Sequence, residues 1–178
     1  MCIRDRLADG AKSATFTMDE LKTGDSVKIA GKQYTIGASK ADVGAALDKK
    51  LLIVPTTAGE YTSGATFSVN NETYTITTKA DKSIEKITNS AGQTAYEDGG
   101  AIKWASTVPT GKNAITDVKK LVNEGDTVKV DDTTMKVMTA ADVTAGVDSD
   151  DSSIITKAQA EKMIKEELTA ANNIYLLY

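Results

Sequence analysis

One pattern recurs three times along the chain and restricts what it can fold into. It first reads Gly24-Asp25-Ser26-Val27-Lys28-Ile29, then Ala30-Gly31-Lys32-Gln33, then Tyr34-Thr35-Ile36. It returns as Gly64-Ala65-Thr66-Phe67-Ser68-Val69, Asn70-Asn71-Glu72-Thr73, Tyr74-Thr75-Ile76, and again as Gly125-Asp126-Thr127-Val128-Lys129-Val130, Asp131-Asp132-Thr133-Thr134, Met135-Lys136-Val137. Apolar and polar residues alternate on both sides of a short run of turn formers, which is the period-two signature of a β-hairpin with one apolar face. A lone hairpin cannot bury that face, so each copy needs a cover.

The flanking sequence offers covers. Lys40 to Leu47 places Val43 and Leu47 four residues apart on one side of a short helix. Ala80 to Ile87 and Ala141-Asp142-Val143 recur at the same relative place. Upstream, Thr17 to Leu21 and Thr116 to Leu121 begin with an N-cap residue and acidic first-turn residues and end before Gly24 and Gly125. Thr88 to Ala105, with Gly92, Gly99 and Gly100, is the least periodic stretch and reads as an elaborated loop or edge strands around Trp104. Thr156 to Asn172 reads as the longest helix, with Ala160, Met163, Ile164, Leu168 and Ala171 on one stripe.

The expected fold class is therefore α+β: three β-hairpin-plus-short-helix repeat units with a longer C-terminal helix. The two prolines of the chain, Pro55 and Pro109, mark links between units. The expected organisation is a non-native leader at 1–6, repeat unit 1 at 7–54, a divergent unit 2 at 55–108, unit 3 at 109–150, and a C-terminal helix with a truncated tail at 151–178. Met1 to Arg6 resembles translated adapter sequence, the alternative being a genuine start, and it lacks the apolar core of a signal peptide.

Composition removes several function classes. A net charge of −4 without a basic stripe argues against nucleic acid as a partner. There is no His, which removes the commonest general base and zinc ligand. Cys2 is the one cysteine, so no internal disulfide forms. No apolar run approaches the roughly 20 residues of a membrane-spanning helix, so membrane insertion is not expected.

Candidate sites are few. Gly31-Lys32 and Gly111-Lys112 lack the rest of a phosphate loop and read as turns. Asp148-Ser149-Asp150-Asp151 begins like a calcium loop, but Ser153 stands where Gly is needed and Gln159 where Glu is needed. It reads as an acidic linker into a helix N-terminus. Asn71-Glu72-Thr73 fits the N-glycosylation pattern on an expected hairpin tip. Tyr34 and Tyr74, at equivalent repeat positions, read as packing residues. No catalytic, cofactor-binding or metal-binding residues are expected. Trp104 and Tyr96 are the candidate binding residues, in a stretch that diverges from the repeat.

The segment from Gly24 to Gly37, followed by Lys40-Ala41-Asp42-Val43, is similar to repeat modules of the variable central region of bacterial flagellins. The resemblance implies a non-catalytic, surface-exposed structural module of an exported filament subunit, located outside the bacterial cell. The end helices that build a flagellin filament core are not visible, so the chain resembles a middle fragment. Its filament partners would bind through segments outside it. The alternative is a glycan- or surface-binding module of a bacterial adhesin or phage tail protein.

Overall fold

The computed structural model describes residues 21–54 and 59–175, with side chains given to residue 170. The leader expected at 1–6, the helix expected from Thr17 apart from Leu21, the Pro55 link and the last three residues lie outside the described residues. Two compact units are present: residues 1–39 with 138–178, and residues 40–137.

In the first unit β1 (Ser26–Ile29) and β2 (Lys32–Ile36) pair antiparallel around Ala30-Gly31, and β10 (Ile154–Ile155) adds parallel to β2. The cover is the long helix, here α3 (Lys157–Tyr175). Its Ala160 and Ile164 close a core with Leu21, Val27, Ile29, Ile36 and Ile155, and Tyr34, Met163 and Leu168 pack at the margin. Of the stripe expected on this helix, Ala160, Met163, Ile164 and Leu168 are therefore used on the first hairpin, and Ala171 lies outside the described side chains. A short α2 (Ala140–Ala145) starts with a capping box in which Thr139 and Asp142 bond reciprocally.

In the second unit β3 (Thr66–Val69), β4 (Glu72–Thr78), β5 (Ile84–Thr88), β6 (Thr94–Asp98), β7 (Ala101–Ala105), β8 (Thr127–Val130) and β9 (Thr133–Lys136) form one antiparallel sheet in the order β7-β6-β5-β4-β3-β8-β9. The sheet curls into a half-barrel. Registry puts Phe67, Val69, Ile76, Ile87, Ala95, Val128, Val130 and Met135 on the same face, and all are buried. Helix α1 (Lys40–Leu51) packs against β8 and a 3-10 turn at Val118–Leu121, with Val43, Leu47 and Leu51 fully buried.

The three hairpins share one backbone frame. Gly24, Gly64 and Gly125 each donate an N–H at 2.8 Å to a carbonyl twelve residues on, at Ile36, Ile76 and Val137. Those three residues donate back to Asp25, Ala65 and Asp126 at 2.9, 3.0 and 2.8 Å. The turns are two residues long rather than four, and Ala30, Asn70 and Asp131 all take positive φ at their first position.

The expectation of three hairpin-plus-helix units in an α+β fold is nevertheless wrong. The protein is mostly β, with three described helices, and the second and third hairpins belong to one seven-stranded sheet through β3 and β8. The helix after the first hairpin belongs to the unit that holds the other two hairpins, and the helix after the third belongs to the unit that holds the first. No helix follows the second. Ile84 and Ile87 are three apart, a helical spacing, but a bulge at Glu85 (Thr77 opposite Lys86, Thr78 opposite Ile84) turns both inward from a strand. Asp81 accepts from the Ser83 N–H and hydroxyl at 3.0 and 2.6 Å and makes a turn where a helix was expected.

Candidate functional site

The stretch from Thr88 to Ala105 is strand rather than loop for most of its length. β6 and β7 close around Gly99-Gly100, both at positive φ, which gives the two-residue hairpin turn that glycine adopts without steric cost. After β7, the Lys112 N–H donates to Pro109 O at 3.0 Å, with Gly111 at φ 80, as in a type II turn. The chain then runs back along β6: Tyr96 bridges Ala114, and the Ile115 N–H donates to Ala95 O at 2.8 Å.

These turns leave a cleft of about 440 Å³ lined by Glu97, Gly99, Gly100, Gly111–Asp117 and Lys120. Its two lysines are paired with carboxylates, and Asp117 accepts from the Lys119 N–H at 2.9 Å. Asp98 at the β6–β7 corner accepts from Lys103 at 2.7 Å and lies 2.6 Å from Lys112, and Glu97 accepts from Lys120 at 2.6 Å. Hydrogen bonds from Lys103 and Lys112 bring Asp98 down to about 2, and the same contacts raise Lys103 and, through Glu97, Lys120. The cleft thus presents ion pairs and glycine backbone on its walls.

The two candidate binding residues are not brought together. Trp104 lies opposite Ala95, and Tyr96 lies opposite Lys103 on adjacent strands, so the two side chains project from opposite faces of the β6–β7 ribbon. Trp104 turns inward and stacks on Tyr74 with centroids 5.2 Å apart and planes 13° from parallel. Tyr74 in turn meets Phe67 at 5.5 Å and 42°. Burial, then the charges of Glu72 and Asp126, raises the Tyr74 phenol above its ordinary value. Tyr96 is half-buried on the other face. Tyr34 belongs to the first unit, where Lys32 Nζ sits 5.1 Å from its ring centroid.

The acidic run is spent on its own backbone. Asp148 is buried and accepts from the N–H groups of Asp150 and Asp151 at 2.9 and 3.2 Å, and Asp151 accepts from Ser153. It leads into β10 rather than directly into the N-terminus of α3, whose first turn holds no acidic residue. Among the described residues no group of three potential ligands is placed to hold a metal ion. Among them, too, no helix is long and apolar enough to cross a membrane.

Gly111-Lys112 reads as a turn and Gly99 and Gly100 mark the least periodic stretch, but the cleft they line escaped the sequence reading because the charged pairs that shape it are distant in sequence. Glu97 and Lys120 are 23 residues apart. The available signal was the crowding of turn formers at Gly99-Gly100 and Pro109 to Gly111 on both sides of one strand. No protein-family model, no curated protein and no solved structure matches the chain.

Proposed function

We propose that the chain is a non-catalytic structural module, resembling the outward-facing variable region of a flagellin filament subunit and displayed outside a bacterial cell. The observation that carries this reading is the shared hairpin frame, in which the same N–H to carbonyl bonds recur at Gly24, Gly64 and Gly125 while the hairpin tips differ. A frame held by backbone bonds tolerates exchange of exposed Thr, Asn and Lys side chains, which is what a displayed surface needs. The ordered test is to read the full-length gene and to label intact source cells with antibodies against this chain. Long amphipathic end helices in the gene and decoration of shear-released filaments are expected. Their absence, with label confined to the cell interior, would overturn the proposal.

The polar cleft favours one second reading, a glycan- or surface-binding module. Its glycine-lined walls and fixed charge pairs suit a hydroxyl-rich ligand. A glycan array on the wild-type chain and Lys120→Ala separates the two: a hit lost in the variant supports binding through the cleft, and no hit supports the structural reading.

A further inference from the structure

The cleft beside the β6–β7 turn holds two kinds of polar side chain. Lys112 and Lys120 lie 2.6 Å from Asp98 and Glu97, and Asp117 accepts from the Lys119 N–H at 2.9 Å. The amide of Asn113 and the hydroxyl of Thr116 line the same cleft, and neither bonds another described residue. Both residues are exposed. The two residues between them are held to β6, Ala114 by its bridge to Tyr96 and Ile115 by its N–H bond to Ala95 O at 2.8 Å. Backbone bonds to a strand thus fix where the two free groups stand before any ligand arrives.

The lining is electrically balanced, with the carboxylates of Glu97 and Asp117 against the ammonium groups of Lys112 and Lys120. None of the lining residues is aromatic. A carboxylate or sulfate entering the cleft would have to take a lysine from Glu97 or Asp98 and leave that carboxylate unpaired. An ammonium ligand would meet Asp117 with both lysines on the same walls. In either case a charged hydrogen bond gained is offset by one lost or by like charge. A neutral hydroxyl meets no such competition, since the Asn113 amide and the Thr116 hydroxyl both donate and accept.

We propose, resting on the binding reading of this cleft, that it takes an uncharged sugar, with Asn113 and Thr116 as the direct contacts and the Glu97–Lys120 pair as a neutral wall. The ligand's hydroxyls bond the Asn113 amide and the Thr116 hydroxyl, and the ion pairs exclude its charged counterparts. Glutamine in place of both Glu97 and Lys120 keeps that wall uncharged. Lys120→Ala instead leaves the Glu97 carboxylate alone in it. With no ring to stack on, each contact is weak, and a multivalent display of the sugar is the suitable probe.

A printed array of neutral oligosaccharides beside their uronic acid, sulfated and amino-sugar counterparts tests this on the full chain. The variants are Asn113→Ala, Thr116→Val, Lys120→Ala and Glu97→Gln/Lys120→Gln. Asn113 and Thr116 bond no other described residue, so their variants should keep the wild-type circular dichroism. Wild type is expected to bind neutral glycans at least about tenfold more strongly than the charged counterparts, and Asn113→Ala and Thr116→Val each to lose about tenfold. Lys120→Ala should lose the signal, and Glu97→Gln/Lys120→Gln should keep it within about threefold. Neutral hits that survive Asn113→Ala or Thr116→Val, that vanish in the double glutamine variant, or that charged glycans equal, would overturn the proposal and leave binding at the cleft standing. No hit by wild type on any glycan would overturn both.

Discussion

The indole of Trp104 on β7 lies parallel to the phenol of Tyr74 on β4, centroids 5.2 Å apart, although β5 and β6 separate those strands in the sheet. Flat strands three places apart lie about 14 Å from each other, so this contact requires the sheet to curl. The stack acts as a clasp across the half-barrel.

Trp104→Ala is accordingly expected to destabilise the second unit by about 2–4 kcal/mol, and Trp104→Phe by about half as much. Tyr74→Ala should couple to it, so that the double variant loses less than the sum of the single ones. Urea unfolding followed by far-ultraviolet circular dichroism checks this. Since Trp104 is the one tryptophan of the chain, its fluorescence in the wild type reports opening of the clasp. A loss below about 0.5 kcal/mol would mark the ring as surface decoration.

Gly37 is constrained by space. A Cβ there would meet Met138 Sδ and lie 2.8 Å from Ile154 Cγ2. Gly37→Ala is expected to cost about 1–3 kcal/mol by overpacking. Met138 is buried, so Met138→Ala carries a loss of its own, but the double variant should lose less than the sum of the two single ones, because the side chain that the new methyl strikes is gone. Gly31→Ala meets nothing within 4 Å and should cost about 1 kcal/mol through its φ of 82 alone, with no such coupling to Met138→Ala. Denaturant midpoints of these variants distinguish steric from conformational strain.

The hairpins were legible in the sequence because their determinants are local. Val27 and Ile29, Phe67 and Val69, and Val128 and Val130 each alternate within one strand, and the turn residues lie between paired strands. What covers a hairpin is a long-range choice. Val43 and Leu47 announce a helix face but not that it packs on β8, more than 75 residues later. The bulge at Glu85 hid a strand behind helical spacing, and whether Trp104 and Tyr96 share a face depended on the β6–β7 register, which one residue of slip would reverse. Ion pairs such as Asp98 with Lys112 leave no periodic trace in the sequence.

Ala30 occupies the first turn position of β1–β2 at φ 49, where the second hairpin uses Asn70 at φ 51. A non-glycine residue with a Cβ and no compensating side-chain bond is strained there, whereas Asn tolerates the left-handed region. Ala30→Asn should stabilise the first unit by about 0.5–1 kcal/mol, keeping the N–H that bonds Glu167. A rise of a few degrees in thermal midpoint checks it. An unchanged or lower midpoint would show that the turn has another constraint.

Acid should weaken the protein in two separable ways. Asp98 is lowered to about 2 by the hydrogen bonds and charges of Lys103 and Lys112, and Asp142 is lowered by hydrogen bonds from the Thr139 hydroxyl and the Ser149 N–H. A carboxyl whose folded value lies below its unfolded one, here 3.8, binds more protons when unfolded. Its stabilisation is complete above the unfolded value and drains away as pH falls through the folded one. Stability is therefore expected to be flat from neutral pH to about 5, then to fall, with the Asp98 contribution still declining near pH 2. Salt distinguishes the two: the exposed lysine pairs at Asp98 are screened, and the neutral donors at Asp142 are not. In about 1 M sodium chloride the acid loss should shrink in wild type and in Asp142→Ala but not in Asp98→Asn, as read from urea midpoints between pH 2 and 7. Equal salt sensitivity in all three would remove Asp98 as the screened group.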